Sequence, residues 1–169
     1  MPEEFGSGID RLRDADGGLS RPALRKLLPY GDAFLFLDRV THLDADEIEA
    51  TYRVPADSPY LAAHFVGFPV MPAALIAEGF AQAASLLVRY NLEEPDQKEI
   101  LALQIERAVF AAPVFPGDDL RFAAHLMTKD SRAALVEGEA RVGGKRAAKF
   151  RIVLAIVDRE AFRNSYLTV

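Results

Sequence analysis

The sequence predicts an α+β domain in which one long helix packs against a strongly curved antiparallel sheet. Three observations carry this reading. Pro72 suits the opening of a helix that runs to about Tyr90, and residues 72–88 are almost wholly apolar. Four segments of strand character follow, at 99–110, 120–128, 133–142 and 146–157. Their clearest punctuation is Pro116-Gly117-Asp118 and Gly143-Gly144, turns too short for parallel crossovers. One helix over one sheet is then the simplest layered arrangement.

Taken in order, residues 1–20 are polar and contain four glycines, so they are expected to form a loose arm or a short helix ahead of a single domain at 21–169. Ser20-Arg21-Pro22 has the form of a helix start, and Pro29 with Gly31 ends that helix. Residues 33–40 (AFLFLDRV) are a strand candidate. Ile48, Ala50, Tyr52 and Val54 alternate with Glu47, Glu49, Thr51 and Arg53, which predicts a second strand with one wet face. Residues 55–71 hold Pro55, Pro59, Gly67 and Pro69 and are expected to be an irregular loop. The last four strands are expected to form a meander.

Bulk composition removes several function classes. The 169 residues suit one domain, and half are apolar, enough for a sizeable core. A net charge of −5 argues against general nucleic-acid binding. There is no cysteine, so disulfides, thiolate catalysis and thiolate metal sites are excluded. The first 20 residues contain no apolar signal region, and no apolar run reaches the roughly 18 residues of a membrane span. The expectation is a soluble cytoplasmic protein without membrane or nucleic-acid partners.

Chemistry concentrates in one segment. From Val54 to Val88 there is no lysine or arginine, and Asp57 and Glu78 are the only formal charges. On the helix, Glu78, Gln82 and Ser85 are the only polar side chains and share a narrow stripe, so the helix is expected to be buried nearly all round. Glu78 suits a general acid, or equally a carboxylate turned to water or to a subunit interface. His64 lies eight residues before Pro72, among apolar neighbours. Alone it reads more readily as packing, yet histidine titrates near neutrality, as a general base must. The amides of Ala73 and Ala74 are the first free donors of the helix, at the positive end of its dipole, and suit a developing oxyanion.

Other constellations are weak. His42 and His125 have no metal-ligand spacing around them, and His64 with Glu78 gives too few ligands for a metal. Ser85 lacks a nucleophile elbow, and no glycine-rich phosphate loop follows a strand.

His64-Phe65-x-Gly67-x-Pro69-Val70-Met71-Pro72, then Glu78 and Ala81-Gln82, resembles the active-site signature of the hot-dog fold 3-hydroxyacyl-ACP dehydratases, the FabZ-like branch. Leu27-Leu28-Pro29 with Phe34-Leu35-x-Leu37-Asp38-Arg39, and Pro113-Val114-x-Pro116-Gly117-Asp118, resemble flanking parts of that family. The resemblance runs from about Leu27 to Asp158 and leaves the N-terminal residues unmatched.

It implies a sheet wrapped around the central helix and a homodimer, open to further assembly, in which each site takes His64 from one chain and Glu78 from the other. His64 would remove the C2 proton of a 3-hydroxyacyl thioester, and Glu78 would protonate the leaving hydroxyl. The Ala73 amide would bind the thioester oxygen, with Phe65 and Gly67 shaping the entrance. No cofactor or metal is implied. The substrate would ride on acyl carrier protein, with coenzyme A as the other carrier.

The chain departs from the pattern at Tyr30-Gly31-Asp32-Ala33, Ala63, Val66, Phe68, Ala73, Ala111 and Ala112. Several of these remove basic residues that would steer an acidic carrier, for which Arg107 and Arg121 are candidate substitutes. Two alternatives stay open: an acyl thioesterase on the same fold, and a non-catalytic acyl-binding or dimerisation subunit.

Overall fold

The computed structural model describes residues 7–167. In chain order these form α1 (Ser7–Asp10), β1 (Leu19–Ser20), α2 (Arg21–Leu27), β2 (Arg39–Leu43), β3 (Glu47–Arg53), α3 (Pro59–Ala63), α4 (Ala73–Tyr90), β4 (Lys98–Phe110), β5 (Asp119–Lys129), β6 (Ala133–Val142), β7 (Lys145–Asp158) and α5 (Arg159–Tyr166). All seven strands join one sheet in the order β1-β2-β3-β5-β6-β7-β4, and every neighbouring pair is antiparallel. Register shifts interrupt four of the pairings. Such bulges bend and twist strands, which lets the sheet curl around α4. This is the expected α+β hot-dog architecture.

Three expectations need correction. The segment 33–40 is not a strand: Asp32–Phe34 make a 3-10 turn, and pairing begins only at Arg39. Leu35, Phe36 and Leu37 are all buried in succession, where an ordinary half-buried strand would alternate. Their backbone groups are met by distant side chains instead of a neighbouring strand. Arg21 donates to the carbonyls of Asp32, Leu35 and Leu37, and Gln82 accepts from the Phe36 N–H.

Second, the four later strands do not form one meander. β5, β6 and β7 do, but β4 lies beyond β7, and β5 pairs with β3. The connection 111–118 is longer than a tight hairpin and crosses the domain. Near its start Ala111 donates to Ala147, and at its end Gly117, at φ +87°, donates to Val54. The Pro116-Gly117-Asp118 turn is real, but its flanks belong to different neighbours.

Third, α4 is not buried all round. Gly79, Phe80 and the run from Gln82 to Arg89 are buried, whereas Ala73 and Ala74 are exposed. The helix therefore begins at an open rim and ends in the core. The 55–71 stretch is irregular apart from α3.

Residues 1–6 lie outside the described residues, and part of the expected loose arm falls there. From residue 7 onward the chain joins the domain: Ile9 and Leu19 are buried, and Leu19 pairs with Val40.

The close approach of α4 to the sheet depends on Gly79. A Cβ there would stand 2.5 Å from Cζ of Phe122 and 3.3 Å from Cβ of Phe36, and both rings are themselves buried. Replacing glycine by alanine would gain about 1 kcal/mol of helix propensity, but the overpacking costs more when neighbours cannot move. Gly79→Val is expected to lose about 1–3 kcal/mol of unfolding free energy, read as a lower urea midpoint at unchanged slope. The next residue, Phe80, stacks on Phe150 of β7 with centroids 4.7 Å apart. These contacts fix the rotation of α4 and hence the direction of Glu78.

Candidate active site

His64 immediately follows α3, whose Leu61 is buried and anchors it. The chain then reverses sharply. Phe65 and Phe68 exchange backbone hydrogen bonds of 3.1 and 3.0 Å across Gly67, whose φ of +77° belongs to the left-handed region that favours glycine. Val70 closes the loop by donating its N–H to the His64 carbonyl at 2.7 Å.

The same residue holds the imidazole: His64 Nδ1 lies 2.9 Å from the Val70 carbonyl oxygen. A carbonyl can only accept, so Nδ1 must carry the proton. In neutral imidazole that leaves Nε2 with its lone pair free, the form a general base requires. The Phe65 ring stacks on the imidazole at 4.2 Å and is itself largely exposed, as are Val66 and Phe68. An apolar loop tip therefore surrounds the base.

The next element is the start of α4. Pro72 caps it without a side-chain hydrogen bond, and Met71 ties the entry to Val114 at 2.8 Å. Among the described residues, the N–H groups of Ala73 and Ala74 have no acceptor. Two unpaired donors at the positive end of an 18-residue helix form a ready anion cradle.

Glu78 is half-buried and forms no ion pair among the described residues. Its Oε1 accepts a 2.9 Å hydrogen bond from Gln82 Nε2. Gln82, fully buried, also donates to the Phe34 carbonyl at 2.8 Å and accepts from the Phe36 N–H at 2.9 Å. Every polar atom of that amide is used, and the pattern fixes which atom is oxygen. Tyr30 stands nearby, its phenol pushed up to about 12 by burial first and by the Glu78 charge second. It remains a neutral donor over the physiological range.

The structure thus gathers His64, Phe65 and Gly67 on one loop and places Ala73 and Glu78 on the first turns of the helix it leads into. No hydrogen bond or ion pair joins His64 to Glu78 within the chain. The sequence reading missed what holds them. Val70, as the partner of His64 Nδ1, acts through its backbone, which no residue type reveals. Gln82 stood out as part of a polar stripe, but its tie to Phe34 and Phe36 spans more than 40 residues.

Gln82 offers a direct test. In Gln82→Leu the Phe34 carbonyl, in an exposed residue, can turn to water, but the Phe36 N–H is buried and left unpaired. That single group is expected to cost about 1–3 kcal/mol, measured by urea unfolding.

A family model described as a FabA-like domain matches residues 28–151, well over half of the chain. The chain belongs to this family. Its relatives there include FabZ 3-hydroxyacyl-[acyl-carrier-protein] dehydratases. That of Solibacter usitatus is 34% identical over 137 residues, covering 81% of this chain and 85% of the relative. That of Nitratidesulfovibrio vulgaris is 38% identical over 136 residues, covering 79% and 88%. The FabA-like match begins one residue inside the expected start at Leu27 and takes in the whole site.

Solved structures agree on the fold. A chain of the dehydratase heterocomplex ApeI:P from Xenorhabdus doucetiae superposes with a TM-score of 0.72 at 17% identity, covering 86% of this chain and 97% of that one. A thioesterase from Haemophilus influenzae gives 0.57 at 20% identity, covering 75% and 81%. At these identities the likeness concerns the fold alone.

Proposed function

We propose that this chain dehydrates 3-hydroxyacyl thioesters carried on acyl carrier protein, giving trans-2-enoyl thioesters in fatty-acid synthesis. The observation that carries this reading is the Val70 carbonyl on His64 Nδ1, which leaves Nε2 as a free base on the loop that leads into an uncapped helix start. Nε2 of His64 takes the C2 proton of the substrate. The electron pair of that bond forms the C2–C3 double bond as the C3–O bond breaks. Glu78, in its acid form, gives a proton to the departing hydroxyl, which leaves as water. The Ala73 N–H binds the thioester oxygen while it carries enolate charge, and Phe65 and Gly67 bound the entrance for the acyl chain.

The base and the acid come from different chains of a homodimer in this reading. Two features support it. His64 and Glu78 share no hydrogen bond or ion pair within one chain. In addition, β4 ends the sheet with an unpaired edge, and Leu103, Ile105, Val109 and Phe110 on it are exposed. An open apolar edge strand is a pairing surface that proteins otherwise cover. A second β4 placed antiparallel to it would extend the sheet and bury those side chains.

In this reading the reaction runs in the cytoplasm. Separately, no helix among the described residues is long and apolar enough to cross a membrane. The test is direct. The protein is given a 2-enoyl thioester, on acyl carrier protein and on coenzyme A in parallel, and loss of the conjugated chromophore is followed. Hydration without thiol release supports the proposal. Release of free thiol would make the chain a thioesterase, and no turnover on either carrier would make it a binding subunit.

A further inference from the structure

We propose that the β2–β3 hairpin holds a divalent transition-metal ion of the zinc class, with His42 Nε2, Asp44 Oδ2 and Glu47 Oε1 as its ligands. The chain has three histidines, and two of them, His42 on β2 and His125 on β5, converge on one carboxylate, Glu47. Sequence spacing gave no hint of this, because β5 reaches Glu47 only through cross-strand pairing, with Glu47 opposite His125.

The two separations from His42 are close to those of a coordination shell. His42 Nε2 lies 3.0 Å from Asp44 Oδ2 and 3.5 Å from Glu47 Oε1, and the three ligand atoms lie within 4.8 Å of one another. A tetrahedral ion with bonds of 2.0–2.1 Å has ligand–ligand edges of about 3.3–3.4 Å. A proton does not explain the set equally well. Nε2 can carry one hydrogen at most, so Asp44 at 3.0 Å takes the short bond and Glu47 at 3.5 Å only a long, shared one. A metal ion takes a lone pair from all three.

Each carboxylate is also oriented for the task. Asp44 Oδ1 accepts from the N–H groups of Asp46 and Glu47 at 2.8 and 2.9 Å, which leaves Oδ2 for the centre. Glu47 presents Oε2 to His125 Nδ1 at 3.2 Å and Oε1 to the centre. Outer partners of this kind fix the ligands of protein metal sites.

The surrounding charge favours a cation. Between Arg39 and Arg53 there is no lysine or arginine, but there are Asp44, Asp46, Glu47 and Glu49. Glu49 pairs with His42 across the hairpin. The frame is stiff: Leu126 donates to the Asp46 carbonyl at 2.8 Å, and Asn91 at the end of α4 donates to the Ala45 carbonyl at 2.9 Å. The ligands are about half exposed, so an ion can enter. The hairpin turn lies at the opposite end of β3 from the segment leading to His64, so the ion would fasten β2, β3 and β5 and take no part in dehydration.

The experiment uses the full chain without an affinity tag, stripped by a chelator and then titrated with Zn²⁺ against a chromophoric competitor and with Co²⁺ as a spectroscopic probe. The expected result is about one equivalent per chain, a visible band of low-symmetry Co²⁺, and a rise in thermal midpoint with Zn²⁺. His42→Ala and Glu47→Gln should weaken binding by more than tenfold, His125→Ala by about tenfold, and His64→Ala not at all. His42 is exposed, so His42→Ala will fold, and its metal-free melt verifies this. Absence of stoichiometric binding, or equal affinity in wild type and His42→Ala, would overturn the proposal and leave the cluster as a surface ion pair.

Discussion

His64→Ala and Glu78→Gln are each expected to slow hydration of a 2-enoyl thioester by about 10²–10⁴-fold. Both groups move a proton only as the transition state forms. The loss should therefore fall on kcat and on kcat/KM together, with KM little changed. Stability will not account for it. His64 is half-buried on an exposed loop whose backbone bond to Val70 survives the substitution, and Glu78→Gln keeps the shape of the side chain and a polar contact for Gln82. Changes at such positions usually stay within about 0.5 kcal/mol. The double variant should lose little more than the worse single one, because base and acid act as a unit. Residual turnover would come from the Ala73 amide and from binding alone. If both variants hydrate the substrate at the wild-type rate, the assignment of the site fails while the fold stands.

Mixing the two inactive variants is expected to restore about a quarter of wild-type activity, because a symmetric dimer with shared sites complements itself. The arithmetic follows from the composite site. In a mixed dimer one site receives both altered residues and is dead. The other receives an intact His64 from the Glu78→Gln chain and an intact Glu78 from the His64→Ala chain. Random exchange makes about half of all dimers mixed, each with one working site of two. Activity should appear only after the chains are dissociated and reassembled together. No recovery in reassembled mixtures shown to contain mixed dimers would mean that each chain carries a whole site, which would sink the shared-site reading without touching the dehydration chemistry.

Much of the architecture was readable along the chain. β6 matched its expected bounds, and β4, β5, β7 and α4 agreed within about one residue at their ends. Alternation and helical apolarity are local patterns, set by side-chain geometry within a few residues. The segment 33–40 failed for the opposite reason. Its apolar run fits a buried strand, yet Arg21 and Gln82 supply the hydrogen bonds that a neighbouring strand would have supplied. The helix α5 was not foreseen either. Asp158 caps it, and its Arg163 reaches the buried Glu99 on β4 at 2.6 Å.

The sequence by itself determined α4 and the strands β3 to β7, the apolar segment that carries His64 and Glu78, and the family signature, because each depends on residues close together in the chain. Tertiary structure alone decided the place of β4 at the sheet edge, the tautomer that Val70 imposes on His64, the Gln82 clasp beneath Glu78, and the meeting of His42 and His125 on Glu47. All four depend on hydrogen bonds or strand pairings that form only once folding brings the groups together. Their partners are backbone atoms, or side chains whose spacing along the chain carries no periodic signal.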